Sequence, residues 1–301
     1  MELISPTVNI DFIRYVKRAA TVSLVLILAG LVSIWYRGGL SYGVDFAGGT
    51  VVQVKFTQPT PIADLRQALE ATDLAAATVQ DFGQGGNEFL IRMPIGEGGA
   101  TGLSEQVRQG LANRFGTQAF EVRKVETVGP KVGKDLRRKA FLAVAFATLM
   151  MGVYVAVRFE LRFGVGALLA LIHDVLITLG GISLMDMEFD LTVVAALLTV
   201  VGFSINDTVI VCDRIRENMG RLRREKLTTI INRSINETLS RTLITNGTAL
   251  ITVSTLFVLG GEVIEAFAFA LVVGFIAGTY SSIYIASPVV LLWEGTGTKR
   301  R

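Results

Sequence analysis

An aspartate lies within a largely apolar stretch of this chain. It is Asp207, and the stretch LTVVAALLTVVGFSINDTVIV runs from Leu191 to Val211. An ionised carboxylate in hydrocarbon costs at least about 2.5–3.5 kcal/mol, so such residues usually face the interior of a helix bundle and often carry protons or ions. The chemistry that this position predicts is the uptake and release of a proton by the Asp207 carboxylate.

Other polar residues of the apolar stretches supply candidate partners for Asp207. Asn206 precedes the aspartate, and Arg241 opens a later stretch. At helical spacing, a stripe of hydroxyl groups follows Arg241 and should share one helix face: Thr245, Thr248, Thr252 and Thr255. Arg241 could face Asp207 and lower its pKa, or replace its proton as the counter-charge. A buried Asp–Arg pair can also be purely structural and fix how two helices pack.

Asp174 is a second carboxylate within an apolar stretch, and His173 precedes it. We expect His173 to pack or to form hydrogen bonds, and the sequence does not choose which of the two carboxylates titrates. With one histidine and one cysteine, Cys212, the chain cannot form a multi-histidine metal site or an internal disulfide. We predict no catalytic residue, no metal and no cofactor.

The composition is that of a membrane protein. Of the 301 residues, 51% are hydrophobic, and six segments reach the ~20 residues that cross a bilayer as a helix. The predicted fold is therefore an α-helical bundle with six transmembrane helices. Gly274, Gly278 and Ser282 recur at four-residue intervals, a pattern typical of close helix packing. The predicted spans are 19–36, 140–157, 163–184, 191–211, 242–260 and 266–293.

Lysine and arginine residues are distributed unevenly among the connections between these spans. They occur in residues 1–18 and 294–301 and are frequent in the loop 212–241. The connections MDMEFD and GGEVIE contain none. Because basic loops stay in the cytoplasm, we expect both termini to be cytoplasmic. The long segment 37–139, called the insert domain below, is then expected on the periplasmic side. The Arg-rich loop could lie on anionic lipid as an interfacial helix or contact a partner.

The insert domain alternates strand and helix patterns. Two helical patterns separate the predicted strands in the order β-α-β-β-α-β, which matches the ferredoxin-like split motif, and Gly83–Asn87 reads as a hairpin turn. Basic and acidic residues are nearly balanced in this segment, so we predict no nucleic-acid binding. A binding or mechanical role is more plausible than catalysis, with a folded spacer as the alternative. The predicted strands are 50–56, 77–82, 88–93 and 120–128.

Four long segments resemble the signature segments of SecF, the family of smaller subunits in bacterial SecD–SecF complexes. The similarity extends over essentially the whole chain and includes the order of one span, an inserted domain and five further spans. The segments are GVDFAGGT (43–50), ALIHDVLITLG (170–180), VGFSINDTVIVCDRIREN (201–218) and SRTLITNGTAL (240–250).

The resemblance implies a function that the residue pattern alone does not. It implies the fold of resistance-nodulation-division transporters halved to six spans, in the bacterial inner membrane. Such a protein pairs with SecD beside the SecYEG channel, often with YajC, and uses the proton-motive force to draw unfolded preproteins outward. The family implicates the positions of Asp207 and Arg241 in proton passage. Its motif in the insert domain consists here of Gly43, Asp45, Phe46, Gly48 and Gly49.

Two other functions remain open from the sequence. The first is a proton-coupled antiporter of small molecules, which the small size of the insert domain disfavours. The second is a scaffold for translocon assembly that transports nothing itself. Sodium could replace the proton at a carboxylate that has hydroxyl neighbours, so the coupling ion is also open.

Overall fold

The computed structural model describes residues 9–72, 74, 77–82, 86–93 and 99–296. Within them, six helical segments are long and apolar enough to cross a membrane. Gly83 to Gly85 of the predicted hairpin turn lie outside the described residues. The long helices are α1 (Phe12–Tyr36), α5 (Pro130–Arg158), α6 (Leu161–Leu184), α7 (Leu191–Arg221), α8 (Leu227–Leu259) and the pair α9 (Glu265–Ser281) and α10 (Ser287–Thr296).

Local signals set the beginnings of several long helices. Asp11 accepts a hydrogen bond from the backbone of Arg14 and caps α1, and Asp190 accepts one from Val193 and caps α7. Pro130 occupies the first turn of α5, where its missing N–H leaves no bond unmade. Between α9 and α10 the helix continues through one π-helical turn, Ser282–Ala286.

The Arg-rich segment between α7 and α8 is mostly helical. We predicted a loop over 212–241 that could form an interfacial helix, but α7 and α8 extend through it and leave only a short connection at 222–226. The segment contains no proline, a residue that would interrupt either helix. Glu237 of α8 joins the two helices through an ion pair with Arg214 of α7 at 2.6 Å, and it also pairs with Arg233 within α8 at 2.9 Å.

The insert domain contains a four-stranded antiparallel sheet with the strand order β2-β3-β1-β4. Helices α3 (Ile62–Glu70) and α4 (Gly99–Phe115) supply apolar side chains to its core, and the short α2 (Val44–Ala47) precedes β1. Each of the four predicted strands differs from the observed strand by at most one residue at either end. The strands are β1 (Gly49–Phe56), β2 (Thr78–Asp81), β3 (Glu88–Met93) and β4 (Phe120–Val128).

Small residues bring the long helices together. A Cβ built on Gly30 of α1 would meet the backbone of Gly180 in α6 at 2.5 Å, so the two helices nearly touch there. Gly274 and Gly278 of α9 pack in the same way on Val200 and Ser204 of α7. The predicted close-packing surface of the last span is therefore confirmed at these two glycines. As a result α7, which carries Asp207, lies deep in the bundle.

Candidate functional site

The Asp207 carboxylate is buried among three helices. Only 1% of the residue is exposed, and the side-chain amide of Asn246 on α8 donates a hydrogen bond to Asp207 Oδ2. The same amide nitrogen donates to Thr279 Oγ1 on α9 at 2.7 Å. One side chain therefore links α7, α8 and α9 at the depth of the aspartate.

Several buried polar atoms near this contact have no hydrogen-bond partner among the described residues. They include Asp207 Oδ1, Asn246 Oδ1, Thr208 Oγ1 and Thr242 Oγ1. Buried polar atoms are nearly always paired in folded proteins. Asp207 therefore has one carboxylate oxygen engaged and one that remains available, which is the arrangement that a group needs if it is to take up a proton.

The sequence leaves open whether Arg241 and Asp207 touch, and in the part of the chain that the structure describes the carboxylate bonds to Asn246 instead. Arg241 is exposed on α8. It lines a cavity of about 500 Å³ at the end of the bundle farthest from the insert domain, together with Asp213, Glu217 and Glu237. Asn246 is five residues beyond Arg241, so the two point about 140° apart on α8.

Two other predicted neighbours of Asp207 also lie elsewhere. Asn206 is exposed on the outer face of α7. Three threonines of the hydroxyl stripe are exposed, and their hydroxyl groups donate to carbonyl groups of their own helix at 2.8–3.0 Å. These three threonines therefore do not pair with Asp207. The partner of Asp207 is instead Asn246, which shares the buried, inward face of α8 with Thr242.

Asp174 has a different environment from Asp207. It is fully buried, and Oδ2 accepts hydrogen bonds from Ser204 at 2.6 Å and Ser281 at 2.8 Å. Its other oxygen, Oδ1, lies 2.9 Å from Nδ1 of His173. Both carboxylate oxygens are thus engaged, by residues of α6, α7 and α9, and the carboxylate is a fixed anchor among these helices.

His173 extends the Asp174 network to α1. Its Nε2 lies 3.1 Å from the hydroxyl of Ser23, and Ser23 donates to Tyr280, whose ring stacks on the imidazole. The hydrogen-bonding role predicted for His173 is confirmed. Ser204, which lies near Asp207 in the sequence, bonds to Asp174 instead. Ser281 was not predicted, and its hydroxyl group within an apolar helix is the signal that could have found it.

The glycine-containing motif of the insert domain fastens that domain to the bundle. Gly43 donates a backbone hydrogen bond to the Phe189 carbonyl at 3.0 Å, and the Asp45 carboxylate accepts one from the backbone of Leu191 at 3.2 Å. Phe46 is 1% exposed and stacks on Phe189. The motif therefore holds the connection between α6 and α7 and the first residue of α7.

Two glycines of the motif permit a close approach to neighbouring backbone. Gly48 has a φ of 83°, a conformation that favours glycine, and a Cβ there would meet the Pro130 backbone at 3.0 Å. A Cβ on Gly49 would overlap with the Met93 carbonyl oxygen. These contacts hold the first residue of β1 close to β3 and the residue before it close to the first residue of α5.

Two family models match the chain. The one described as "Protein export membrane protein SecD/SecF, C-terminal" matches residues 109–296, and the one described as "SecD/SecF GG Motif" matches residues 38–60. The second covers the segment that fastens the insert domain to the bundle.

Curated relatives match over nearly their whole length. The protein translocase subunit SecF of Calditerrivibrio nitroreducens is 47% identical over 97% of this chain and 96% of its own. That of Desulfurispirillum indicum is 46% identical over 95% of this chain and 92% of its own.

The crystal structure of SecDF from Thermus thermophilus, a translocon-associated membrane protein, is similar with a TM-score of 0.81 at 36% identity. It covers 97% of this chain, which corresponds to 40% of the SecDF chain. With two family models, full-length relatives and a shared fold in agreement, this chain belongs to the SecF family of protein translocase subunits.

Proposed function

We propose that this chain, paired with a SecD-type subunit, uses the proton-motive force to assist preprotein export through SecYEG, with Asp207 as the proton carrier. The observation that carries the proposal is the half-engaged carboxylate of Asp207. It is buried between helices, bonded to Asn246 through one oxygen and unbonded through the other within the described structure.

Protonation of Asp207 would change its bonding to Asn246. In the ionised state Asp207 only accepts, and Asn246 donates to it. A proton on the available Oδ1 makes Asp207 a donor, and the carbonyl oxygen of Asn246 is a buried acceptor with no partner in the described residues. The acid and amide can then form two hydrogen bonds in place of one, so the contact between α7 and α8 responds to the proton.

Arg241 acts as the counter-charge in this mechanism from a distance. Its guanidinium lies in a polar cavity rather than against the carboxylate, so it stabilises ionised Asp207 without blocking protonation. The carboxylates that share this cavity make it a suitable route for protons between Asp207 and solvent. Asp174, with both oxygens engaged, holds the helices and is assigned no carrier role.

The rearrangement would reach the insert domain along α7. The helix extends from Asp207 back to Leu191, about 24 Å at 1.5 Å per residue. At its first residue the Asp45 carboxylate accepts the Leu191 backbone hydrogen bond. Motion of α7 is thereby passed to the motif that precedes β1. In this proposal the insert domain has ferredoxin-like topology, and its movement acts on the emerging polypeptide.

The proposal also includes a membrane orientation and partners. We place the insert domain, 37–139, in the periplasm and both termini in the cytoplasm of a bacterial inner-membrane protein, because basic residues cluster at the other connections. SecD fits as the partner because the similar SecDF chain is longer than this one. SecYEG, YajC and unfolded preproteins are proposed on the resemblance alone.

Ion-gradient dependence of export tests this function. Proteoliposomes with the SecD partner, SecYEG and this chain are given a proton gradient or a sodium gradient, and completion of late translocation is timed. The proposal predicts faster completion with the proton gradient only. Equal rates with and without either gradient would favour the assembly scaffold, and gradient-driven efflux of dyes would favour the antiporter.

A further inference from the structure

An apolar groove of about 370 Å³ lies between α5 and α6, near the insert domain and away from Asp207. Its walls include Phe141 and Val144 of α5 and Ile172 and Leu176 of α6. We propose that it holds an acyl chain of an anionic phospholipid, and that Lys134 and Arg138 bind the headgroup. This proposal does not depend on ion coupling.

The groove has the depth of one lipid leaflet. Its α5 wall runs from Ala140 to Leu149, about 14 Å at 1.5 Å per residue, and half of a bilayer core is about 15 Å. At the insert-domain end of α1, Trp35 and Tyr36 are 82% and 85% exposed. Exposed aromatic residues of this kind mark the membrane interface. The groove therefore reaches from that interface to about the middle of the bilayer.

Basic residues stand directly above the mouth of the groove. Lys134, Arg138 and Phe141 are spaced by four and three residues, so they share one face of α5. Both cations are exposed, and neither forms an ion pair within the part of the chain that is described. The neighbouring cations are held otherwise, because Arg137 lies 4.7 Å from the ring of Tyr42 and Lys139 pairs with Asp135 at 2.8 Å.

The position of this charge is unusual for a membrane span. Lysine and arginine normally flank the cytoplasmic end of a span, and here five of them stand at the insert-domain end of α5. Large translocated domains tolerate such charge, but tolerance does not account for its alignment with an apolar groove. An anionic headgroup above its own acyl chain accounts for both, since each basic residue at the surface adds attraction to anionic lipid.

Lipid retention tests the headgroup contact. The complex of this chain with its SecD partner is purified from membranes that contain phosphatidylglycerol and phosphatidylethanolamine, and native mass spectrometry counts the bound lipid. Lys134→Gln with Arg138→Gln should lower phosphatidylglycerol retention by about fivefold for each charge. The matched control, Arg123→Gln with Lys124→Gln on β4, should retain it, and an equal loss in the control would overturn the proposal.

A second pair of variants tests the acyl chain. Ala145 lines the groove, so Ala145→Trp should fill it and displace the lipid with the charges intact. Leu142 is 58% exposed on the same helix and does not line the groove, so Leu142→Trp should leave retention unchanged. Retention that survives Ala145→Trp contradicts the proposal. A second result would also contradict it: the unaltered complex retains no phosphatidylglycerol, and Ala145→Trp weakens association with SecD. A helix of the partner would then occupy the groove in place of the lipid.

Discussion

The side-chain amide of Asn246 donates a hydrogen bond to the Asp207 carboxylate across the contact between α8 and α7. The same group bonds to Thr279 on α9, whereas Arg241 lies in a polar cavity. Under the proposed mechanism, Asn246 would be the first residue to respond when Asp207 gains or loses a proton. Through Thr279, that response would also reach α9.

Replacement of Asn246 should uncouple export from the ion gradient. Asn246→Leu removes the donor to Asp207, and a hydrogen bond to a charged group contributes about 1.5–3 kcal/mol. We expect gradient-stimulated translocation in proteoliposomes to fall close to the rate without a gradient. Asn206→Leu is the matched control, because Asn206 is exposed beside Asp207. Full stimulation in the Asn246 variant would show that the amide plays no part.

Substitutions at Asp174 and Asp207 should differ in effect: the first should lower the stability of the fold and the second should abolish proton coupling. Asp174→Ala leaves His173, Ser204 and Ser281 without their shared acceptor, and breaking a buried charge network costs about 3–5 kcal/mol. Asp207→Asn keeps the size of the side chain and an oxygen that can accept from Asn246, so it should destabilise the protein less. Unfolding of the purified protein in detergent measures both. Greater destabilisation by Asp207→Asn would contradict the assignment of Asp174 as the anchor.

The sequence predicts the elements of this fold well because each carries a local signal. The apolar lengths predict six membrane-spanning helices, and the alternation in β1 and β3 predicts the strands to within a residue. The buried position of Asp207 follows from its apolar surroundings. The resemblance to the SecF family rests on the same local segments.

Partner choice between helices is less predictable because it depends on helix rotation. Arg241, Thr242 and Asn246 all lie near the beginning of one span, and a rotation of 100° decides which of them faces α7. An arginine also has a long side chain that reaches polar surroundings by extending along the helix. Charge complementarity therefore favoured Arg241, whereas the structure places Asn246 against Asp207.

The glycine at 48 should be needed for the junction between the insert domain and α5. Gly48→Ala places a Cβ near the Pro130 backbone at a φ of 83°, and such strain costs about 1–3 kcal/mol. We expect faster hydrogen exchange in β1 and in the first turns of α5. Gly129→Ala serves as the control, because φ there is −69° and a Cβ would meet nothing within 4 Å. Equal exchange in both variants would argue against a constrained junction.

Acid should weaken the sheet of the insert domain through one ion pair. The hydrogen bond from Lys55 holds the pKa of Glu88 below its ordinary value. A carboxylate with a lowered pKa in the folded state stabilises the fold at pH values above its unfolded-state pKa, about 4.3. This stabilisation is lost as the pH falls through the lower pKa of the folded state. Exposed pairs contribute about 0.2–1 kcal/mol.

Variants of this pair check the acid effect. Hydrogen exchange of β1 and β3 in the full protein is compared at neutral pH and at about pH 3.5, below the unfolded-state value. The unaltered protein should lose more protection in acid than Glu88→Gln, which lacks the titrating group. Identical acid sensitivity in the two proteins would exclude a contribution from Glu88.

The effect of Asp207→Asn on proton-driven export tests the central claim most directly. Proteoliposomes with SecYEG, the SecD partner and either the unaltered chain or the variant are compared with and without a proton gradient, after equal complex assembly has been verified. The account predicts that the gradient accelerates late translocation with the unaltered chain and has no effect with Asp207→Asn. Normal acceleration with the variant would contradict it, because a carboxamide cannot carry the proton.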